Sequence, residues 1–561
     1  MGTKILMIAL DGATLDLLSP WMAAGELPLL ARLFAEGAGG TLLSTVPWAT
    51  PTAFASLATG TNPGKHGVYD FGKLIGDDYT AFVPTNGRHI NGRSLWKILS
   101  EAGLSSLVIN MPMTYPAEAI NGRLIAGIPY PSGSPQLCHP PELLSDLARQ
   151  GWALERNASD DLGGSYADYY QGLVDLVKTR GEAMAWMLQQ DQPDFTAVHF
   201  LEPDQAQHRF WQFMAGEPRH QPNGPHTDAI LRLYKVVEAA MTQIIAAVDE
   251  ETILCVMSDH GFGPTRHQVW LNNWLHQNGF LTLKSGTAVR LKQLLYRLGL
   301  SPAALREAAP ERLKLAILQF FERQKGRALA SEVETEGAAQ RKGIMDWLTE
   351  RLAIDFHDLD WAKTRAFSTG TTAVGYVWLN VAGRDPQGIV QPGKAYEQIR
   401  QQLAEALRQW EAVGQVQFCE DIWQGAQLQD APDIIVRWAQ PTTDARYFQT
   451  RFSSHHLIKP VPNDYASHRP EGMFVWHGSG VRSGLKIDAD LLDLTPTFLW
   501  LLKQPIPSYM DGRILTECFT LDHSVQTIEM DVETAVSTTK PMTSAEEEAL
   551  KNSLRALGYL E

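Results

Sequence analysis

Six short apolar runs stand out along the chain: Lys4 to Leu10, Ser106 to Asn110, Asp194 to Phe200, Thr252 to Met257, Asp433 to Trp438 and Gly472 to Trp476. Each is shorter than an ordinary helix and lacks the polar alternation of a half-solvated strand, so each predicts a strand buried on both faces. Between the runs the period changes. From Ala229 to Val248 the residues Ile230, Leu231, Leu233, Val236, Val237, Met241 and Ile244 recur at helical spacing. Alternating strands and helices predict an α/β fold, a mostly parallel sheet covered by helices on both faces. No fixed-period repeat is visible.

The alternation lapses from about Thr282 to Asp358. Helical, locally basic sequence replaces it, "VRLKQLLYRLGL" and then "ERLKLAILQFFERQKGR". The expected division is a catalytic α/β core over 1–281, a helical cap insertion over 282–358, the rest of the core over 359–521, and a tether with a C-terminal helix over 522–561. The basic residues of the insertion read first as a solvated helix face, although they could also attract an anionic substrate. Ser544 with Glu547 is the expected capping box of the last helix.

Composition sets outer bounds. A chain of 561 residues, 44% hydrophobic and 20% charged, is that of a globular protein. No uncharged apolar run reaches the roughly 18 residues that a membrane span requires. The start, "MGTKILMIALDG", lacks a leader's long apolar run and small-residue cleavage site, so a cytoplasmic protein is expected. Cys138, Cys255, Cys419 and Cys518 are far apart, which suggests packing residues rather than a disulfide framework or thiolate site. A net charge of −15 disfavours a nucleic-acid polymer as partner. It leaves a small phosphorylated substrate open, because bound cations reverse the local potential.

Chemistry concentrates where the predicted strands end. In an open α/β sheet ligands bind beyond the carboxyl ends of the strands. There the sequence places Asp11-Gly12, then Asp204 with His208 in "EPDQAQH", then Asp259-His260 in "SDHGFGP". If Pro203 opens a helix, the four-residue interval puts Asp204 and His208 on one face, able to share a cation. Asp oxygens and His nitrogens suit zinc, and a catalytic pair of ions requires two such sets roughly 4 Å apart. A further imidazole is required. His455, His456, His468 and His477 are available, and by position His477, which follows its strand, would be preferred. In "TVPWATPTAFASLATGTNPGKHG", residues 45–67, Thr50 reads as the N-cap of a helix with Pro51 at its first position. A helix start also favours a phosphate, so Thr50 fits both a cap and a nucleophile.

"LDG", "ATPTAFASLATGTNPGKHG", "EPDQAQH", "SDHGFGP" and "SHRPEGMFV", in this order, resemble the alkaline phosphatase superfamily, in particular its type I phosphodiesterase and nucleotide pyrophosphatase branch. "LDLTPTFLWLLKQPIPSYMDGRIL" is similar to that family's closing segment. The resemblance implies an alkaline-phosphatase-like fold and two divalent ions, zinc or manganese. It implies one metal site from Asp204, His208 and His468, which displaces the preference for His477, and another from Asp11, Asp259, His260 and the Thr50 oxygen. It further implies in-line phosphoryl transfer through a phosphothreonine at Thr50, acting as both cap and nucleophile.

Departures from the pattern narrow this expectation. A sulfatase would carry Cys or Ser at position 50, with Pro and Arg at 52 and 54, where this chain has Thr50, Thr52 and Phe54. Phe71 stands where the nucleotide pyrophosphatases have a phosphate-holding Asn, so that contact is absent or comes from elsewhere, with Asn110 a candidate. No Arg is evidently placed to neutralise a phosphomonoester, which favours diesters. The expected function is therefore a two-metal phosphodiesterase. A phosphomutase or phosphoryl transferase, and a metal-binding regulatory protein without turnover, are the alternatives.

Overall fold

The computed structural model describes residues 3–75, 81–131, 133–154, 165–217, 219–298, 354–369, 374–439, 445–447, 457–460, 466–532 and 542–556. Most of the expected cap, residues 299–353, lies outside the described residues, as do His455 and His456.

A central sheet organises the chain. Its strands run in the order Leu485–Lys486, Ala38–Leu43, Glu471–His477, Ile253–Met257, Ile5–Leu10, Phe195–Phe200, Ser106–Met111, Gly122–Ala126 and Cys138–His139. The five strands from Ile253–Met257 to Gly122–Ala126 pair in parallel. Side chains of the first strand alternate across the sheet, and both directions are apolar. Leu6, Ile8 and Leu10 join the core beneath the helices Tyr166–Gln190 and Ala229–Ile245. Ile5, Met7 and Ala9 join the core beneath Thr50–Thr59 and Leu494–Leu501. A strand covered on both faces has no solvated positions, which is why these runs read as continuous apolar sequence. The mostly parallel α/β sheet flanked by helices is the fold class expected from the sequence.

Two of the six runs differ from the simple expectation. Glu471–His477 enters the central sheet antiparallel to both of its neighbours. Ile434–Trp438 is not in that sheet at all. It lies in a separate antiparallel sheet of order Ala366–Phe367, Gly375–Leu379, Ile434–Trp438, Val413–Phe418. Buried faces look alike in one dimension, and this strand too is apolar on both sides. Ile434, Val436 and Trp438 pack into their own core with the helix Lys394–Arg408, while Ile435 faces Tyr69, Tyr376 and Trp423.

The last helix, Ser544–Ala556, is capped by Thr543 and Glu546 rather than by Ser544 and Glu547: the Thr543 hydroxyl accepts from the Glu546 N–H at 3.2 Å, and the Glu546 carboxylate accepts from the Thr543 N–H at 2.7 Å. The two motifs differ by a one-residue shift that the sequence, with Thr543 and Ser544 adjacent, leaves degenerate. Leu550 and Leu554 of this helix are buried. All four cysteines are buried thiols. Among the described residues no helix is long and apolar enough to cross a membrane.

Candidate metal centre

Three parallel strands deliver their ends to one place. Asp11 directly follows Leu10, the helix Glu202–Phe210 begins two residues past the end of the strand Phe195–Phe200, and Asp259 follows Met257 by two residues. Hydrogen bonds join the three ends. The Gly12 N–H donates to Asp259 Oδ1 at 3.3 Å, and the Gln207 amide donates to the Gly12 carbonyl at 2.9 Å. Gly12 adopts a φ of 68°, and a Cβ there would come within 3.2 Å of Asp204 Oδ1, so glycine is required on both counts.

Pro203 does open a helix. Asp204 and His208 sit one turn apart, with Asp204 Oδ1 3.5 Å from His208 Nε2. His468, on the strand Ala466–Arg469, brings its Nε2 to 3.3 Å from the same oxygen and to 3.1 Å from His208 Nε2. Asp204, His208 and His468 form one group able to hold an ion. Asp11, Asp204 and His260 form a second, so Asp204 is common to both. Asp259 Oδ2 lies 3.3 Å from His260 Nε2, and Asp11 Oδ1 lies 3.4 Å from it. The imidazoles of His260 and His468 are stacked at 3.8 Å. His477 lies elsewhere, paired with Glu36 at the surface.

Thr50 is fully buried, and its hydroxyl reaches His260 Nε2 at 3.3 Å. It is not the cap. The helix is Thr50–Thr59, its N-cap residue is Ala49, and no side chain caps it. The expectation placed the boundary one residue late, because Pro fits the second helical position as readily as the first when neither N–H has an intrahelical partner. The hydroxyl is therefore not occupied in capping.

The donor set fits a cation. His260 Nδ1 lies 3.0 Å from the Gly261 carbonyl, and His468 Nδ1 lies 3.3 Å from the Trp48 carbonyl. A carbonyl only accepts, so each Nδ1 carries the hydrogen and each Nε2 presents a lone pair to the carboxylates. Burial pushes His468 down to about 4, which keeps it neutral. Asp11 Oδ1 and Asp259 Oδ2 are buried without a hydrogen-bond partner. Burial first, and then the Asp259 and Asp204 charges, hold the Asp11 carboxyl well above the usual carboxylate range. Burial likewise raises Asp259. The imidazole lone pairs and these unpartnered carboxylate oxygens repel one another unless a cation or a proton lies among them.

Two supporting residues escaped the sequence reading. His199 Nε2 meets Asp11 Oδ2 at 2.9 Å while its Nδ1 meets the Asn110 carbonyl at 3.1 Å, which fixes the Asp11 carboxylate from behind. The rule of searching beyond strand ends passes over it, since His199 lies within its strand. The available signal was one ionisable residue in the buried run "FTAVHF". The Arg180–Glu202 ion pair, 2.6 Å long and buried on both sides, anchors the start of the Asp204 helix. Asn110 directs its amide to the His199 carbonyl at 3.2 Å, and Phe71 is buried.

The motif "TNPGKHG" braces the Thr50 helix. Val68 N–H donates to His66 Nδ1 at 3.1 Å, so Nε2 carries the hydrogen and donates to Ser56 Oγ at 2.8 Å. Burial lowers His66 from 6.5 to about 3. Its folded value lies below the unfolded one, so its neutral form supports the fold fully above pH 6.5, and that support is lost as pH falls towards 3. Each unit costs about 1.4 kcal/mol. Urea titrations between pH 7 and 4 should show His66→Gln with a shallower fall in stability than the wild type, by about one proton. Equal slopes would remove His66 as the titrating brace.

Carboxylates and imidazoles thus converge past the ends of a mostly parallel sheet, beside a hydroxyl at a helix start, in an arrangement able to hold cations. The sequence model of the type I phosphodiesterase / nucleotide pyrophosphatase family matches residues 5–349. The chain belongs to this family and is a phosphoester-hydrolase enzyme. Among solved structures, phosphonoacetate hydrolase from Sinorhizobium meliloti 1021 in complex with phosphonoacetate is similar in fold, at 13% identity and a TM-score of 0.50, over 89% of this chain and 95% of that one. Murine ectonucleotide pyrophosphatase / phosphodiesterase 5 aligns at 12% identity and a TM-score of 0.48, over 92% and 100% of the two chains. No curated protein sequence matches significantly.

Proposed function

We propose that the chain is a phosphodiesterase dependent on two divalent ions, with Thr50 as nucleophile. The observation that carries this reading is the contact between the buried Thr50 hydroxyl and His260 Nε2, within the cluster of Asp11, Asp204 and Asp259. Asp204, His208 and His468 would hold one ion, and Asp11, Asp259, His260 and the Thr50 oxygen the other, zinc or manganese suiting these donors. Ions bound there supply Lewis-acid charge at the phosphoryl oxygens.

The chain supplies the rest. Thr50 Oγ1 attacks phosphorus in line with the departing oxygen; the P–O bond to the leaving group breaks as the Thr50 ester forms, and the proton given up by the hydroxyl is balanced by the one the departing alcohol takes. Water then cleaves that ester from the same side, so configuration at phosphorus is retained. The first helical turn has free N–H groups at Thr50 and Thr52, Pro51 having none, and these with the helix dipole favour the negative phosphoryl oxygens. His199 and the Arg180–Glu202 pair hold the carboxylates in place, which matters because positioning and charge neutralisation supply most of the catalysis in loose phosphoryl-transfer transition states.

Metal analysis combined with a panel of aryl phosphomonoesters, phosphodiesters and phosphonates tests this reading. Diesters should turn over fastest. Chelation should abolish turnover, and zinc or manganese should restore it. Full activity in chelated, metal-free protein would end the proposal.

A further inference from the structure

Close to the centre stands one guanidinium with no role in it. Arg437 is partly buried on the strand Ile434–Trp438, and its Cζ lies 5.6 Å from the ring centre of Trp48. Trp48 is a close neighbour of the site: its carbonyl accepts from His468 Nδ1, and it precedes Thr50 by two residues, at most about 7 Å of chain. Among the described residues Arg437 makes no ion pair or hydrogen bond, and its Nε is buried without a partner. The Trp48 indole Nε1 is also buried without one. Three other arginines with little exposure each have a carboxylate partner: Arg180 has Glu202, Arg384 has Asp433 and Arg400 has Glu420.

A half-buried cation whose only contact among the described residues is the face of an indole ring lacks a counter-charge, and buried donors without acceptors favour an anion. Burial lowers the Arg437 guanidinium with no acidic group opposing it. An arginine remains charged under that influence. The second sheet and the connection between two of its strands meet the segments on either side of the Thr50 helix: the Trp423 indole donates to the Val46 carbonyl at 3.1 Å and the Tyr376 hydroxyl to the Tyr69 carbonyl at 3.0 Å. The strand that carries Arg437 is thus tied to the segments around the Thr50 helix.

We propose that Arg437, with the Trp48 indole, is a specificity-determining site for a second anionic group on the substrate, remote from the phosphorus attacked. This deepens the phosphodiesterase reading above and rests on it. The substrate class is a phosphoester whose alcohol carries a carboxylate or a further phosphate. Arg437 makes none of the hydrogen bonds or ion pairs of the acid–imidazole cluster, which is why the remote group rather than the reacting phosphoryl is assigned to it.

The test compares p-nitrophenyl phenyl phosphate with p-nitrophenyl 4-carboxyphenyl phosphate, with release of either phenol followed by chromatography. The wild type should prefer the carboxylated diester about tenfold in kcat/KM, and Arg437→Gln should bring that ratio to near one. Arg437→Lys should retain part of the preference. An unchanged ratio in Arg437→Gln overturns the proposal, as does a loss confined to p-nitrophenyl phosphate, which would make Arg437 a reader of the reacting group. Should neither diester turn over, the hydrolase reading fails separately, and calorimetric titration with 4-carboxyphenyl methylphosphonate decides the site: weaker binding to Arg437→Gln supports it, equal binding overturns it.

Discussion

Replacing Thr50 by alanine is expected to lower kcat for bis(p-nitrophenyl) phosphate by about a thousandfold or more, while folding and metal content stay close to wild type. The side chain caps nothing, and among the described residues its one hydrogen bond is to His260 Nε2. Its loss therefore removes chemistry without removing a structural support. Thr50→Ser, which keeps the hydroxyl, should recover much of the rate. Metal content by atomic emission, a thermal melt and turnover measured on the same preparation make the comparison. Turnover within tenfold of wild type in the alanine variant would take Thr50 out of the reaction.

Asp11→Asn should produce the second large effect, with opposite signs for stability and activity. Ionised Asp11 is buried beside Asp259 and Asp204, so its folded pKa lies above the unfolded value. Native protein without metal binds a proton that the unfolded chain releases, and its stability falls as pH rises through the carboxylate range. Asparagine removes that penalty. At pH 8 in chelator, Asp11→Asn should melt above the wild type. Adding zinc should reverse the order, because ligand binding to the native state stabilises it in proportion to affinity, and the variant has lost a donor. Turnover should fall more than about 100-fold. Melting curves that keep the same order with and without zinc would exclude Asp11 as a ligand.

How far the sequence carries depends on what each residue answers to. The parallel core was legible because strands buried on both faces, such as Ile5–Leu10, have no choice but continuous apolar sequence. The gathering of Asp11, Asp204 and Asp259 at one edge was legible because each follows such a run closely in the sequence. Sheet membership was not. Ile434–Trp438 satisfies the same burial rule in another sheet, and partner choice is a property of three dimensions. The Thr50 boundary was misplaced by one residue, since Thr-Pro fits two registers equally. His199 and Arg180 were missed for a further reason: they act on other side chains, at separations of 188 and 22 residues, and no local pattern encodes that.

The two-sheet arrangement bears on how such an enzyme changes over time. Asp11 and Asp259 follow strands of the central sheet, Asp204 and His208 lie on the helix after a third and His468 on a short two-stranded sheet beside it, whereas Arg437 belongs to a sheet with a core of its own. Drift on the outlying sheet can trade one ester for another while the reactive cluster stays intact, so lineages sharing this chemistry are free to diverge in diet.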